Sequence, residues 1–396
     1  MQFGNYQSHS KTGIAKRKVT IFINVPRSVQ GKKGRPKIKM KKNKIILLIL
    51  LFPFILTTGI INSFAQIRTE VGKSEGWREV QFNFGSLEPP YFIFHPSGKQ
   101  LILGGKGGKG ISLLDIESGA IQELTTNIRH KYPHCSPDGR YIFFTLSTKR
   151  DYKNLYVFDT KTKNIELIYE LDKVLPIFII HGPLSPSGKY LIGPANWKEK
   201  ITLPGGEIVT IVPIHGTIER GKLPKYLYSE WSSDSNKLFL YHYDGQIISI
   251  RDVKTGSEKD IQIRIEGYTA RDIKPGPDPT KIYVLASSDK KKGVNLYMMD
   301  LRNPEKIPVL IINNFLQFDL DSYGNIVFSR LQEGYYKILI RDNTGKNDFI
   351  RQFREHPYPW DWSIMPRISK DGKVIAFFRK LGEKENAITV LAKEDK

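Results

Sequence analysis

Eight histidines, one cysteine and two glycine-rich stretches are where residue type and spacing could do chemistry in this 396-residue chain. Setting His9 aside, the histidines are His95, His130, His134, His181, His215, His242 and His356. Imidazoles four residues apart hold zinc when a helix puts them on one face. His130 and His134 have that spacing, but the residues around them read as strand or loop, so no metal ligand set is assigned. GKSEG (72–76) has the Gly-x-Ser-x-Gly spacing of a nucleophile elbow. An elbow needs a strand-to-helix turn, with its acid and His supplied later by an α/β sheet; Ser74 lies in a polar stretch with no such region after it. GGKGGKG (104–110) looks like a phosphate loop, yet Lys109 is followed by Gly110 and the apolar ISLL instead of Ser or Thr and a helix. A loop between strands is expected there. Cys135 occupies a register that is apolar elsewhere in the chain (Phe94, Leu184, Trp231, Ile368), which suits a small buried filler. It has no second cysteine for an internal disulfide. No catalytic set, cofactor or metal is expected.

The elements that must position these residues come from a repeat. HPSGKQLILGG (95–105), SPDGRYIFFTL (136–146), SPSGKYLIGPA (185–195), SSDSNKLFLYH (232–242), GPDPTKIYVLA (276–286), DSYGNIVFSRL (321–331) and SKDGKVIAFFR (369–379) are variants of one unit. The turn positions Gly98, Gly139, Gly188, Ser235, Pro279, Gly324 and Gly372 are 41, 49, 47, 44, 45 and 48 residues apart. Each turn feeds alternating apolar residues, the pattern of a hairpin entering a strand. A second hairpin follows in many units, clearest in LYVFDTKTKNIELI (155–168). Two hairpins per period of roughly 40–50 residues make a four-stranded propeller blade, and no long segment of helical period follows residue 66.

These SPDGR and SPSGK turns, with the LYVFDTKTK-type hairpins, resemble the TolB-type propeller repeat family, also found in the propellers of prolyl-oligopeptidase-like proteins. The likeness covers residues 78–396. It implies an all-β, seven-bladed propeller of four-stranded antiparallel blades. The hydrolase domain of the peptidases has no counterpart here, nor does a separate N-terminal domain before residue 78. The last unit has too few strands to complete a blade, and REVQFNF (78–84) reads as an outer strand. It is expected to complete blade seven and close the ring.

A propeller gathers distant residues at its central channel. His134 and His181 fall two and four places before the turn serine, where an innermost strand runs. Their convergence with Arg367 and a carboxylate such as Glu230 or Asp319 would favour a lyase or hydrolase acting on an anionic polysaccharide; some secreted propeller lyases hold a metal through histidines there. The loops between second and third strands offer Trp197, Tyr335 and Tyr336 beside many lysines, and REHPYPWDWS (354–363) adds Trp360 and Trp362 to the same rim. Aromatic faces beside cations suit a carbohydrate, acidic polymer or protein ligand. With His242, these form the expected ligand-binding set. The expected role is non-enzymatic: a binding or scaffold module for an envelope protein or carbohydrate, monomeric and without nucleic acid.

KMKKNKIILLILLFPFILTTGIINSFAQ (39–66) sets the compartment. From Met40 it has a basic start, the apolar run Ile45–Leu56 and Ser63-Phe64-Ala65 before Gln66, the order of a secretory signal cleaved after Ala65. The protein is then periplasmic or secreted, touching membrane only if the signal stays uncleaved. GKKGRPKIK (31–39) resembles a minor-groove AT-hook, but export excludes that role, and residues 1–39 read as a disordered extension ahead of a start assigned too early. Residues 1–65 hold 13 of the 61 basic side chains and none of the 40 acidic ones, so +21 becomes 48 − 40 = +8. That is a mildly basic exported protein. The expected organisation is extension 1–39, signal 40–65, linker 66–77 and propeller 78–396.

Overall fold

The repeated turn is held by its own side chains. Ser136 Oγ donates to Asp138 Oδ1 at 2.5 Å and accepts from the Tyr141 amide at 2.8 Å, while the Arg140 amide donates to Asp138. Ser232–Asp234 and Ser369–Asp371 repeat the arrangement at 2.6 and 2.5 Å. Gly139 takes φ +80°, the left-handed region where a side chain is strained. A Cβ there would also lie 2.3 Å from the His95 ring of the preceding blade. His95 itself bonds Ser97 at 2.9 Å and lies 3.2 Å from the Gly139 carbonyl, stitching blade one to blade two.

The computed structural model describes residues 68–394, apart from 75, 86–90, 107–108, 126–129, 148–151, 171–182, 195–197, 215–225, 243–244, 289–293, 355–364 and 383–384. The chain opens with β1 (Arg68–Ser74) and β2 (Trp77–Gly85). Blade one is β3 (Tyr91–Phe94), β4 (Gln100–Lys106), β5 (Lys109–Asp115) and β6 (Ile121–Thr125). Blade two is β7 (His130–Cys135), β8 (Tyr141–Ser147), β9 (Tyr152–Asp159) and β10 (Ile165–Glu170). Blade three has β11 (Tyr190–Pro194), β12 (Lys200–Thr202) and β13 (Ile208–Ile214). Blade four is β14 (Tyr226–Trp231), β15 (Lys237–His242), β16 (Ile247–Asp252) and β17 (Glu258–Gln262). Blade five is β18 (Thr269–Pro275), β19 (Lys281–Ser287), β20 (Val294–Asp300) and β21 (Val309–Phe315). Blade six is β22 (Gln317–Leu320), β23 (Ile326–Gln332), β24 (Tyr335–Arg341) and β25 (Asn347–Phe353). Blade seven holds β26 (Arg367–Ile368), β27 (Val374–Gly382) and β28 (Glu385–Lys393). The protein is a seven-bladed β-propeller.

Closure follows the sequence expectation. β2 pairs antiparallel with β28, from Trp77↔Lys393 to Gly85↔Asn386. Val80 and Phe82 are fully buried, packing with Leu101, Leu114, Ile388 and Val390. Glu79 fixes the same strand by charge, 2.8 Å from Arg351 Nε of blade six and 3.5 Å from Arg379 of blade seven. One expectation is corrected here: residues 66–77 are not merely a linker. The turn at Gly76 (φ +81°) folds β1 back onto β2, making blade seven five-stranded in the order β1-β2-β28-β27-β26. The GKSEG serine is thus the last residue of an edge strand.

Blade three departs from the antiparallel repeat. Its order is β11-β13-β12, with β13 parallel to β11 and antiparallel to β12. The cause is the LPGGE turn (203–207), closed by a Leu203 amide bond to the Glu207 carbonyl at 2.8 Å. It sends β13 back inside β12. Glu207 then receives Arg140 at 2.5 Å and the Tyr141 hydroxyl, tying the turn to blade two. A Cβ on Gly205 would lie 2.0 Å from the Arg140 guanidinium, so a side chain there would have to displace Arg140 from Glu207. The core occupies the gaps between blades, as where Phe143, Val157, Leu191, Val212, Trp231 and Leu238 pack together.

Candidate binding site in the central channel

The innermost strands alternate, and alternation sorts their side chains. Residues one place before each turn (Phe94, Cys135, Leu184, Trp231, Leu320 and Ile368) pack into the cores between blades. Those two places before it, on the opposite strand face, are Ile93, His134, Pro183, Glu230, Lys274, Asp319 and Arg367. Ile93 packs into the core between blades one and two, whereas Glu230, Lys274, Asp319 and Arg367, on four successive blades, lie within electrostatic reach of one another at one level of the channel.

Three of these form one ion-paired group. Lys274 Nζ of blade five donates to Asp319 Oδ1 of blade six at 2.6 Å, and Arg367 Nη1 of blade seven lies 3.7 Å from the same oxygen. The Ile368 amide donates to Asp319 Oδ2 at 3.2 Å. Arg367 reaches Tyr91 Oη of blade one at 3.4 Å. Burial alone would raise the Asp319 pKa, but the charges of Lys274 and Arg367 and these hydrogen bonds outweigh it and hold the carboxyl below its ordinary value. Burial opposes the charge on Arg367, yet Tyr91 and the surrounding carboxyls keep its pKa above the usual value. Asp319 and Arg367 are both ionised.

Glu230 behaves in the opposite way. Burial, reinforced by the neighbouring Asp272 charge, pushes its pKa up to about 8, against the pull of Lys274 and Arg367. It is protonated at neutral pH. No hydrogen bond is made to its carboxyl among the described residues, although it lines a cavity of about 560 Å³ at the turn-side mouth of the channel. Trp231, Leu184, Pro186, Pro277 and Leu320 supply apolar walls there, and Asp321 and Lys370 sit among the lining. Cys135 also lines it, with burial pushing its thiol up to about 12, so it is no nucleophile.

The remaining candidates lie elsewhere or outside the described residues. His134 lies on β7 at the same offset from its turn as Glu230 and Arg367, but it is not among the groups that act on either. His181, Trp197, Trp360 and Trp362 fall outside the described residues. His242 ends β15 and is buried away from the inner strands, its Nε2 2.6 Å from Ser249 Oγ, which donates to Asp260 at 2.5 Å. This order, with a fully buried serine between His and Asp, leaves no accessible nucleophile activated by His. Tyr336 stacks on Phe353 at 6.2 Å in the gap between blades six and seven. Tyr335 is half-buried under the Arg354 guanidinium at 5.7 Å. Sequence reading missed Lys274, Asp272 and Tyr91; the turn offset that picked out His134 and His181 also selects all three. Among the described residues no three His, Cys, Asp or Glu side chains cluster as metal ligands.

No protein-family model matches the chain, and no curated protein matches it in sequence. Solved structures do. An oligogalacturonate lyase from Vibrio parahaemolyticus superposes with a TM-score of 0.56 at 12% identity, over 83% of this chain and 97% of that one. An oligogalacturonate lyase in complex with manganese gives 0.51 at 12% identity, with the same coverage of each chain. TolB from Acinetobacter baumannii gives 0.40 at 13% identity, over 92% of this chain and 72% of that one. At such identities the two lyase matches show a shared propeller fold.

Proposed function

We propose that this chain is an exported TolB-like β-propeller that acts as a non-enzymatic binding or scaffold module for an envelope protein or glycan, received at the mouth of its central channel. The observation that carries this is the cavity beside Glu230. It is wide, walled by tryptophan, leucine and proline, and rests on a channel level whose charged groups are mostly paired with one another. Such a surface gives contact area and orientation without a free nucleophile. The TolB-like assignment rests on the SPDG-type repeats, and export on the signal-like segment 40–65. The purified exported protein, applied to a glycan and envelope-protein array, should retain a defined ligand, and Ser322→Trp, which fills the mouth, should weaken it at least tenfold. Retention of no ligand refutes the module. N-terminal sequencing should begin at Gln66; a mature chain retaining Met40 refutes cleavage.

A second reading has one observation in its favour. Glu230, Asp319 and Arg367 converge in the channel, a combination that could bind and act on an anionic polysaccharide. The oligogalacturonate lyases that share the fold act on such a polymer. Incubation with oligogalacturonate, followed by ultraviolet absorbance of the unsaturated product, separates the two readings. Turnover abolished by Arg367→Ala would establish the enzyme.

A further inference from the structure

We infer that the Glu230–Asp272 side of the channel is an anchoring site for a cationic side chain, a lysine ammonium or arginine guanidinium, presented by a protein partner. This rests on the binding-module reading above and specifies what the cavity recognises.

The channel level is asymmetric. On blades five to seven Lys274, Asp319 and Arg367 satisfy one another, and Tyr91 closes that group from blade one. On blades four and five the charge of Asp272 acts on Glu230, and no described residue makes a hydrogen bond or ion pair to either carboxyl. Glu230 lines the mouth cavity, so a group entering from the turn side reaches it first. Two adjacent carboxyls in a confined site repel when both are ionised, and one holds its proton. An incoming cation relieves this directly. It replaces the proton on Glu230 and supplies the hydrogen-bond donors that both carboxylates lack among the described residues. A resident metal fits less well, because among the described residues no third His, Cys, Asp or Glu joins the pair as a ligand. The apolar walls suit the methylene stem of a lysine or arginine while its head reaches the carboxyls.

The site carries a pH signature. The groups facing Glu230 are Asp272 and Lys274 on β18, Asp319 on β22 and Arg367 on β26. His134 has the same turn offset on β7. Below pH 8 the free protein holds a proton on Glu230, which a cation must expel. Affinity should therefore rise about tenfold per pH unit from 6 to 8 and flatten above, with about one proton released.

Calorimetry on the full chain tests this with acetyl-Gly-Lys-Gly-amide, its ε-acetylated form, putrescine, sodium acetate and manganese chloride, at pH 6 to 9. The lysine peptide should bind with the stated pH dependence, and ε-acetylation should abolish binding. Glu230→Gln should remove the pH dependence and weaken binding at pH 8 at least tenfold. Asp272→Asn should weaken it at every pH. Putrescine binding tighter than the peptide would overturn the protein-partner assignment. Acetate binding preferentially, or manganese displacing the peptide, would overturn the cationic-side-chain assignment. An array ligand weakened by Ser322→Trp yet indifferent to both carboxyl variants would overturn this inference while leaving the binding module standing.

Discussion

Replacing Glu230 by Gln should stabilise the protein, and only above about pH 5. The folded chain keeps a proton on this carboxyl until about pH 8, whereas the unfolded chain releases it near 4.5. Between those values the native state binds more protons, so stability falls as pH rises. The slope is about 1.4 kcal/mol per pH unit, giving a ceiling of about 5 kcal/mol across the window. Water entering from the channel mouth screens part of this, and we expect about 2–3 kcal/mol. Gln has nearly the same shape and cannot ionise. Urea unfolding of both proteins between pH 4 and 9 measures the difference directly, because other titrating groups cancel between them. The two curves should run parallel below pH 4.5 and separate steadily, with the variant more stable at pH 9. A constant difference across the range, or a variant that loses stability as pH rises, would refute the reasoning.

Three further outcomes follow from contacts elsewhere. Glu79→Gln leaves Arg379 and Arg351 without their carboxylate at the closing strand and should cost about 3 kcal/mol in urea unfolding, with hydrogen exchange rising first in β2. Asp115, Asp159, Asp252, Asp300 and Asp342 each cap a hairpin turn and have pKa values held below 3.8, that of Asp300 down to about 2. Their stabilisation is complete above about pH 4 and is lost as pH falls toward 2, so circular dichroism should show unfolding in that interval; an acid-stable ring at pH 2 contradicts it. Cys135 should resist iodoacetamide at pH 8 in the folded chain and react fully in denaturant.

The sequence revealed most where structure is local. The Ser-x-Asp-Gly turns close on their own side chains, as Ser136, Asp138 and Gly139 show, so seven blades could be counted from spacing alone. Closure by residues 78–84 was legible because a missing strand and a spare one have complementary lengths. The parallel pairing in blade three was not, since it arises where β13 lies between β11 and β12, a tertiary placement held by Glu207 to Arg140 and Tyr141 across 67 and 66 residues. Arg367, Glu230 and Asp319 were legible as channel residues by offset from the turn. Lys274 has the same offset, but as one lysine among many it carries no signal of its own, and its pairing with Asp319 is a tertiary contact. The protonation of Glu230 comes from burial and from Asp272, both tertiary properties that no motif records.

Site-specific photo-crosslinking in the cell envelope tests the channel-mouth binding module most directly. A photoreactive amino acid at Lys370, in the cavity lining, is compared with one at Lys259, exposed on the outer strand of blade four. The channel account predicts a discrete partner adduct from position 370 and none from 259. Adducts from 259 alone would place the binding surface on the outside of the ring and contradict it.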